Sequence, residues 1–264
     1  MPTRDEPVLL DRTGAIAWLR LNRPQVLNAI DEATAEAFLA ACRTVAGDAS
    51  VRAVVIAGTG RGFMAGGDLA RFHADPARGA ETAGAIIGPL HAAIEVLADL
   101  PAPVLASVHG PVAGAGMSLA IAADLCIAAE DARFTLAYAR IAATPDGSGT
   151  YHLPRLVGLR KAMELALLAD TIDARTALAL GLVNRVVPTA ALEEETQALA
   201  DRLAAVAAAA FARIKGLLRG SWTATLPEQL AAEEAAFRAS AATDDFREGV
   251  AAFFEKRGPE FHGR

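Results

Sequence analysis

Short apolar segments alternate with helical patterns along most of the chain, and this alternation predicts an α/β fold. The two apolar runs at 8–11 and 15–21 flank Arg12-Thr13-Gly14, which predicts a β-hairpin. Further buried strands are predicted at 53–57, 104–108, 125–129, 134–136 and 183–187. Helices are predicted at 32–46, 81–100, 117–123, 148–153, 159–169 and 174–180.

The pattern becomes purely helical after Pro188, where the composition also changes. This change predicts an α/β core over residues 1–188 and a helical region over residues 189–264. Helices in the second part are predicted at 190–218, 226–241 and 244–256.

A buried strand, a glycine-rich turn and the start of a helix occur in this order twice. The turns contain Gly66-Gly67 and Gly114-Ala115-Gly116. The first backbone N–H groups of a helix have no partner within the helix, and the helix dipole favours negative charge there. Two such turns side by side would direct N–H groups at one point and form a site for an anion or a developing oxyanion.

Composition and charge narrow the possible partners and compartments. The chain has 264 residues, of which 53% are hydrophobic, and a net charge of −6, which argues against a nucleic-acid partner. Cys42 and Cys126 lie in apolar patterns and are predicted to be reduced core thiols. The segment 1–7 lacks the apolar part of a signal peptide, and the uncharged run at 203–212 is too short to span a bilayer. We therefore expect a cytoplasmic protein with no membrane partner.

The serine hydrolases are one candidate class of enzyme. Gly116-Met117-Ser118-Leu119-Ala120 nearly forms the nucleophile elbow G-x-S-x-G, but alanine replaces the last glycine. Asp146 and His152 follow Ser118 in the order that a triad requires, although they follow it too soon for the usual layout. This interpretation remains a minority alternative. Neither glycine turn contains the dinucleotide fingerprint G-x-G-x-x-G.

Four motifs resemble the crotonase (enoyl-CoA hydratase/isomerase) superfamily, in order and over nearly the whole chain. They are Arg23-Pro24…Asn28-Ala29, the segment 60–68, Gly110…Gly114-Ala115-Gly116…Asp124, and the C-terminal segment 246–261. The resemblance implies a fold of repeated ββα units with a C-terminal helical region that builds trimers, often paired into hexamers. It also implies a coenzyme A thioester as substrate, with no separate cofactor and no metal.

The resemblance also implies roles for individual residues. The backbone N–H groups of Gly67 and Ala115 would hold the thioester oxygen. Coenzyme A would be bound by the backbone of two segments and by a neighbouring subunit's C-terminal helix; the residues are Gln25, Leu27, Ala65, Asp68, Phe253 and Lys256. The alternative for Lys256 is a solvated charge in the run Glu255-Lys256-Arg257.

The proton-transfer residues differ from those of a hydratase. The two glutamates that hydratases of this superfamily use correspond to Ser118 and Tyr138 here, and neither is a carboxylate. Asp146 lies in a Pro-Asp-x-x-Gly context that resembles the 2-(1,2-epoxy-1,2-dihydrophenyl)acetyl-CoA isomerase-like subgroup. One acid suffices for an isomerase, because it can remove a proton from C2 and return it at C4. We therefore predict an isomerase in which Asp146 shuttles the proton and an enolate is stabilised by the oxyanion site.

Several alternatives stay open at this point. The chain would be a hydratase if Asp146 acted with unusual partners, or a degenerate acyl-CoA binder if the acids were lost. Asp146 is alternatively an N-cap for the helix that follows it. Tyr138 either donates a hydrogen bond to the substrate or fills the space of a glutamate, and Ser118 is expected to be a capping hydroxyl. His73 and His91 suggest no specific role.

Overall fold

A computed structural model describes residues 6–262 of the chain, so most of the N-terminal segment tested for a signal peptide lies outside the described residues. Strands β1–β9 are Val8–Thr13, Ile16–Leu21, Ala53–Gly58, Val104–Val108, Pro111–Ala113, Leu125–Ala129, Arg133–Thr135, Ile172–Asp173 and Arg185–Val187. Helices α1–α11 are Glu32–Ala46, Leu69–Ala74, Gly79–Asp99, Ala115–Ala122, Gly149–Val157, Leu159–Leu168, Ala174–Ala179, Leu192–Ala204, Ala208–Gly220, Leu226–Ala241 and Asp244–Glu255.

The main sheet has six strands in the order β1-β2-β3-β4-β6-β9, and all its pairs are parallel except the β1–β2 hairpin. Strand β3 shows why the sheet is buried on both faces. Val54 and Ile56 face the core under α1 and α3, whereas Val55 faces a second apolar cluster that includes Leu192 and Leu203 of α8. Continuous apolar strands of this kind are typical of parallel sheets covered by helices.

A second, smaller sheet has the order β5-β7-β8 and lies where the glycine turns meet. An isolated bridge between Met64 and Val112 joins the chain before the first turn to β5 before the second. The sequence pattern did not predict β5, because Pro111–Ala113 is too short to show a period. The bridge between Met64 and Val112 therefore connects the two turns.

Most of the predicted elements are confirmed. Phe38 and Cys42 are fully buried on one face of α1, and both thiols are buried and unpaired with one another. Asp31 and Asp173 cap α1 and α7, each accepting the backbone N–H three residues on. The single helix predicted at 190–218 is wrong, because the chain breaks at 205–207 and forms α8 and α9.

Helix α8 packs against the main sheet, although it follows the predicted boundary at Pro188. Large apolar side chains are exposed on α6, for example Leu159 and Leu167, and also on the later helices. Phe237, Phe253 and Phe254 on α10 and α11 are 66%, 78% and 77% exposed. Over residues 6–262, no helix is long and apolar enough to cross a membrane. The division into two regions remains a prediction.

Candidate active site

The two glycine turns lie directly against each other. Gly66 has a φ of 103° and Gly114 a φ of 52°, backbone conformations that side chains with a Cβ disfavour. A Cβ on Gly66 would lie 3.1 Å from the Ala113 carbonyl oxygen, and a Cβ on Gly114 would lie 3.5 Å from the Gly66 Cα. Glycine at both positions therefore allows the close approach that brings the turns together.

The backbone N–H groups of Gly67 and Ala115 lie on these turns. Within residues 6–262, neither group donates a hydrogen bond to another part of the chain. Ala115 is the first residue of α4, so its N–H lies at the positive end of an eight-residue helix dipole. A Cβ on Gly67 would meet no atom within 4 Å, which shows open space beside that turn. The arrangement leaves two donors beside open space, as an oxyanion site requires.

Asp146 and Tyr138 lie beside the second turn. The Tyr138 hydroxyl donates a hydrogen bond to Asp146 Oδ1 at 2.6 Å. The Tyr138 ring packs against the turn, because a Cβ on Gly114 would lie 3.8 Å from its Cζ. The alternative that Asp146 caps α5 through its side chain is wrong, since Ser148 is the N-cap residue and Gly149 N–H donates to the Asp146 backbone oxygen. The carboxylate instead belongs to the site.

The environment of this pair changes its proton affinity. Burial raises the pKa of Asp146 above its ordinary value, and the Tyr138 hydrogen bond opposes this rise, as does the charge that His91 carries when it is protonated. Burial, followed by the charge of Asp146, raises the pKa of the Tyr138 phenol well above its ordinary value. Tyr138 therefore stays protonated and donates, while Asp146 is a stronger base than an exposed carboxylate.

Ser118 lies beneath the segment 146–149, which we call the acid loop. It is fully buried, and within the described residues its Oγ makes no hydrogen bond of normal geometry, although it lies near enough to the Tyr138 hydroxyl to oppose the rise in the pKa of that phenol. A Cβ on Gly149 would lie 2.6 Å from that Oγ, so the loop packs directly onto it. The expected capping role of Ser118 is wrong, because Gly114 is the N-cap of α4.

The structure also removes support from the hydrolase alternative. The nitrogen Nδ1 of His152 lies 3.0 Å from Ser148 Oγ, not at Ser118. Because no described base contacts the Ser118 hydroxyl, nothing activates it as a nucleophile.

The residues predicted to bind coenzyme A through the first two segments lie together. Gln25 is exposed in a short 3-10 turn, Pro24–Val26, and Leu27 follows with a φ of 52°. Ala65 N–H donates to the Leu27 carbonyl at 3.0 Å, which ties this loop to the first glycine turn. The backbone of both segments therefore forms one edge of the site, and their binding role remains a prediction.

Arg23 fastens this edge, a role that the sequence did not indicate. Its guanidinium pairs with Asp31 at 3.0 Å and with Asp68 at 3.1 Å, and it donates to the Ala29 carbonyl at 2.6 Å. The Asp68 carboxylate also accepts the Ala70 N–H and so caps α2. The Asp68 side chain is therefore occupied within the chain, and its backbone N–H donates to the Ile30 carbonyl at 2.9 Å, so its binding of coenzyme A remains a prediction.

Phe253 and Lys256 lie at the C-terminal end of the described chain, on and just after the last turn of α11. Phe253 lines a groove formed by residues of α9, α10 and α11 and the C-terminal segment. Lys256 ends α11 with a φ of 55° and forms no ion pair within residues 6–262. Their contribution from a neighbouring subunit remains a prediction.

His91 is a residue of the site that the sequence analysis missed. It lies on α3, and its Nε2 accepts a hydrogen bond from Gly147 N–H at 3.0 Å. The two residues are 56 positions apart, so no local pattern signals the contact. Helical spacing groups His91 with Leu90 and Ile94, but it does not show what that face contacts.

Comparison of the sequence with known proteins identifies one family. The profile of the enoyl-CoA hydratase/isomerase family matches residues 11–264. A probable enoyl-CoA hydratase of Rhodobacter capsulatus is 40% identical over 249 residues, covering 94% of this chain and 95% of that protein. The 1,2-epoxyphenylacetyl-CoA isomerase of Escherichia coli is 38% identical over 254 residues, with 94% and 95% covered.

Solved structures give the same result for the fold. A putative enoyl-CoA hydratase/isomerase from Mycobacterium abscessus superposes with a TM-score of 0.92 at 36% identity, covering 97% of this chain and 100% of that chain. The predicted crotonase-type α/β fold is thus confirmed. The chain belongs to the enoyl-CoA hydratase/isomerase family of the crotonase superfamily.

Proposed function

We propose that the chain is an isomerase that moves a carbon–carbon double bond in the acyl group of a coenzyme A thioester. The observation that carries this proposal is the carboxylate of Asp146, which lies beside the second glycine turn and is not held in an ion pair within residues 6–262. Asp146 accepts the Tyr138 hydroxyl at 2.6 Å, and the ring of Tyr138 lies against the Gly114 turn. At the two positions where the resemblance places the hydratase glutamates, Ser118 and Tyr138 carry hydroxyl groups.

Binding of the thioester oxygen is assigned to Gly67 N–H and Ala115 N–H. Both groups are held by backbone that is already fixed, so they need no reorganisation when negative charge develops on the oxygen. The dipole of α4 adds favourable electrostatic energy at Ala115. These donors favour the enolate over the neutral thioester and therefore make the C2 proton easier to remove.

Asp146 removes the proton from C2 of a 3-enoyl thioester, and the carbon–hydrogen electron pair moves into the enolate. The protonated Asp146 then returns the proton at C4, and the double bond shifts to C2–C3. The product has the same composition as the substrate, so one acid–base group balances the reaction. The raised pKa of Asp146, which burial causes, brings its proton affinity closer to that required.

The relatives support both the proposal and its first alternative. The Escherichia coli relative is named as an isomerase, and the Rhodobacter capsulatus relative is named as a probable hydratase. A hydratase must position a water as well as transfer a proton. Asp146 would have to serve both tasks, because the Asp68 carboxylate is paired with Arg23. We therefore favour isomerisation, with hydration of a 2-enoyl thioester as the alternative.

An acyl-CoA binder without catalytic activity is the alternative of a different class. It would keep the two backbone donors and show no turnover that depends on Asp146. The raised pKa of this carboxylate and its place beside the turns support an enzyme instead.

The test compares a 3-enoyl-CoA with a 2-enoyl-CoA, using the wild type and Asp146→Asn. We expect the 3-enoyl thioester to gain the absorbance of a conjugated thioester with unchanged mass, and Asp146→Asn to lower this rate about 10³-fold. Gain of the mass of water by the 2-enoyl thioester would establish the hydratase. Binding of both esters without reaction would establish the binder.

We also propose that the chain assembles into a homotrimer or a dimer of trimers through its C-terminal helices. The exposed Phe237, Phe253 and Phe254 support this proposal, because such apolar surface favours burial at an interface. Light scattering after size-exclusion chromatography should give three or six times the chain mass, whereas a monomer would contradict it.

In that assembly Lys256 is assigned to a coenzyme A phosphate of the neighbouring subunit. Lys256→Ala should raise KM for a CoA thioester several-fold. It should leave KM unchanged for the matching pantetheine thioester, which lacks those phosphates. Equal effects on both thioesters would contradict a phosphate contact.

A further inference from the structure

The acid loop has a backbone conformation that needs outside support. Gly147 and Ser148 both have positive φ values, 56° and 66°, and Ser148 is not a glycine. Consecutive left-handed residues are costly, so contacts around them must hold the conformation. A Cβ on Gly147 would lie 3.0 Å from the Ser118 Cβ, which shows that the loop is pressed onto α4.

Helix α3 supplies the contacts on the other side of the loop. Leu90 and Ile94 have side-chain atoms 3.8 Å and 3.7 Å from where a Cβ on Gly147 would lie. Between them, His91 Nε2 accepts the Gly147 N–H at 3.0 Å. Gly147 is buried, so this N–H would lose a partner if the imidazole were removed.

The hydrogen bond also fixes the state of the ring. Only an imidazole that is neutral, with its proton on Nδ1, can accept through Nε2. An imidazolium has a proton on both nitrogens and would face the Gly147 N–H with another donor. A protonated His91 would also place its charge near Asp146 and lower the pKa of that carboxyl. Neutral His91 therefore suits both the loop and a carboxylate that must act as a base.

We propose that His91 is a positioning residue for Asp146: its neutral imidazole holds the acid loop through the Gly147 N–H, and its protonation releases the loop. The inference rests on the proposed function, since it assigns a residue that prepares the same base. Protonation of His91 should lower the activity in two ways. It removes the acceptor that holds the loop, and it places a positive charge near the carboxylate, which makes Asp146 a weaker base.

Other ionisable groups surround α3 and enter the interpretation of any pH profile. Asp146 and Tyr138 are the ionisable groups at the acid loop, and Glu95 lies on α3 one turn beyond His91. Helix α4 carries none. The charged and ionisable residues of α1 and α2, which also pack on α3, are Glu32, Glu36, Cys42, Arg43, Arg71 and His73. Arg78 of the 3-10 turn Pro76–Arg78 packs at the start of α3, and Lys215 and Arg219 of α9 donate to backbone carbonyls at its end.

The experiment compares His91→Gln with His91→Leu, and uses His73→Gln on the exposed side of α2 as the matched control. The glutamine oxygen replaces Nε2 as an acceptor but does not titrate between about pH 5 and pH 8. At about pH 8, we expect His91→Gln to keep kcat within about threefold of the wild type and His91→Leu to lose about tenfold. Both should change KM for the thioester by less than about twofold.

The pH profile separates positioning from simple packing. His91→Gln should retain activity to lower pH than the wild type, because one of the two protonations that inactivate the enzyme is gone. His73→Gln should reproduce the wild-type profile. A profile of His91→Gln that matches the wild type would overturn the proposal, and so would wild-type activity in His91→Leu. If His91→Leu does not fold, His91→Asn is used, since its shorter amide does not reach Gly147.

A measurement without turnover keeps this inference distinct from the proposed function. Nitrogen-15 NMR should show that the neutral imidazole of His91 has an unprotonated Nε2 and a protonated Nδ1. A protonated Nε2 would overturn the positioning role whatever the activity. If Asp146→Asn keeps full activity while the NMR result holds, the proposed function fails and the loop contact stands.

Discussion

The two glycine turns have similar sequences but are held in place by different forces. The turn at Gly114 leads into α4, in which seven of eight residues are buried, and its position is decided by packing. The turn at Gly66 leads into the six-residue α2, which has no buried residue. Polar contacts hold this turn instead: Ile30 N–H donates to Gly66, and Arg23 pairs with Asp68. One N–H donor of the site is thus set by the core and the other by an ion-pair cluster at the edge.

The largest loss of stability should come from adding a methyl group at the Gly114 turn, which is held in place by core packing. In Gly116→Ala, the new Cβ would lie 2.3 Å from the Met64 carbonyl oxygen, so the backbone must shift. We expect the free energy of unfolding to fall by about 3 kcal/mol in urea denaturation. Gly67→Ala is the matched control on the other turn, where a Cβ meets nothing within 4 Å.

Gly67→Ala should change the free energy of unfolding by less than about 0.5 kcal/mol, while turnover falls because the methyl group enters the open space of the site. A large loss of stability in Gly67→Ala, or none in Gly116→Ala, would show that the two turns are held alike.

The next effect should come from the cluster that holds the first turn. Arg23→Gln removes the partner of both Asp31 and Asp68, which are partly buried, and leaves those charges uncompensated. We expect a loss of about 2 kcal/mol in the free energy of unfolding and a higher KM for the thioester, because the predicted CoA-binding backbone loses its anchor.

The control is Arg71→Gln, which breaks an exposed pair with Glu32. It should cost less than about 0.5 kcal/mol. If both arginine variants behave alike, the edge of the site does not depend on Arg23.

Tyr138→Phe removes the hydrogen bond that links Asp146 to the packed second turn. The hydrogen bond from Tyr138 stabilises the ionised carboxylate, so its loss should raise the pKa of Asp146 further. The base must be ionised to act, and the acid limb of the kcat/KM profile should therefore move to higher pH. We expect about a tenfold loss of kcat at neutral pH. An unshifted profile would place the hydrogen bond outside catalysis.

The smallest effect is on the free energy of unfolding of Asp146→Asn, which should be more stable than the wild type although it is less active. Burial raises the pKa of Asp146 in the folded chain, so the folded state holds this proton to higher pH than the unfolded chain does. As the pH rises from the ordinary pKa of an aspartate through this raised value, the folded state loses stability. Asp146→Asn removes this cost and should increase the free energy of unfolding at neutral pH by about 0.5–2 kcal/mol. The increase should disappear in acid, where Asp146 is protonated in both states.

The sequence predicted those features that depend on local pattern. Strand β4, both glycine turns and α4 follow from apolar runs and glycines, and the resemblance added Asp146 as the acid. The break between α8 and α9 was missed, because Val206 and the alanines around it continue a helical pattern through residues 205–207. Contacts between distant segments were also missed: Arg23 with Asp68, and His91 with Gly147. No period or spacing encodes such pairs, since the fold alone brings them together.

In the proposed reaction, Asp146 removes the C2 proton and the two turns stabilise the enolate that results. Proton exchange at C2 of a saturated acyl-CoA in D₂O measures that step alone, whatever the final product is. We expect the wild type to incorporate deuterium at C2 and Asp146→Asn to do so about 10³-fold more slowly, with the affinity for the thioester unchanged. Exchange in Asp146→Asn at the rate of the wild type would show that Asp146 is not the base that removes the C2 proton.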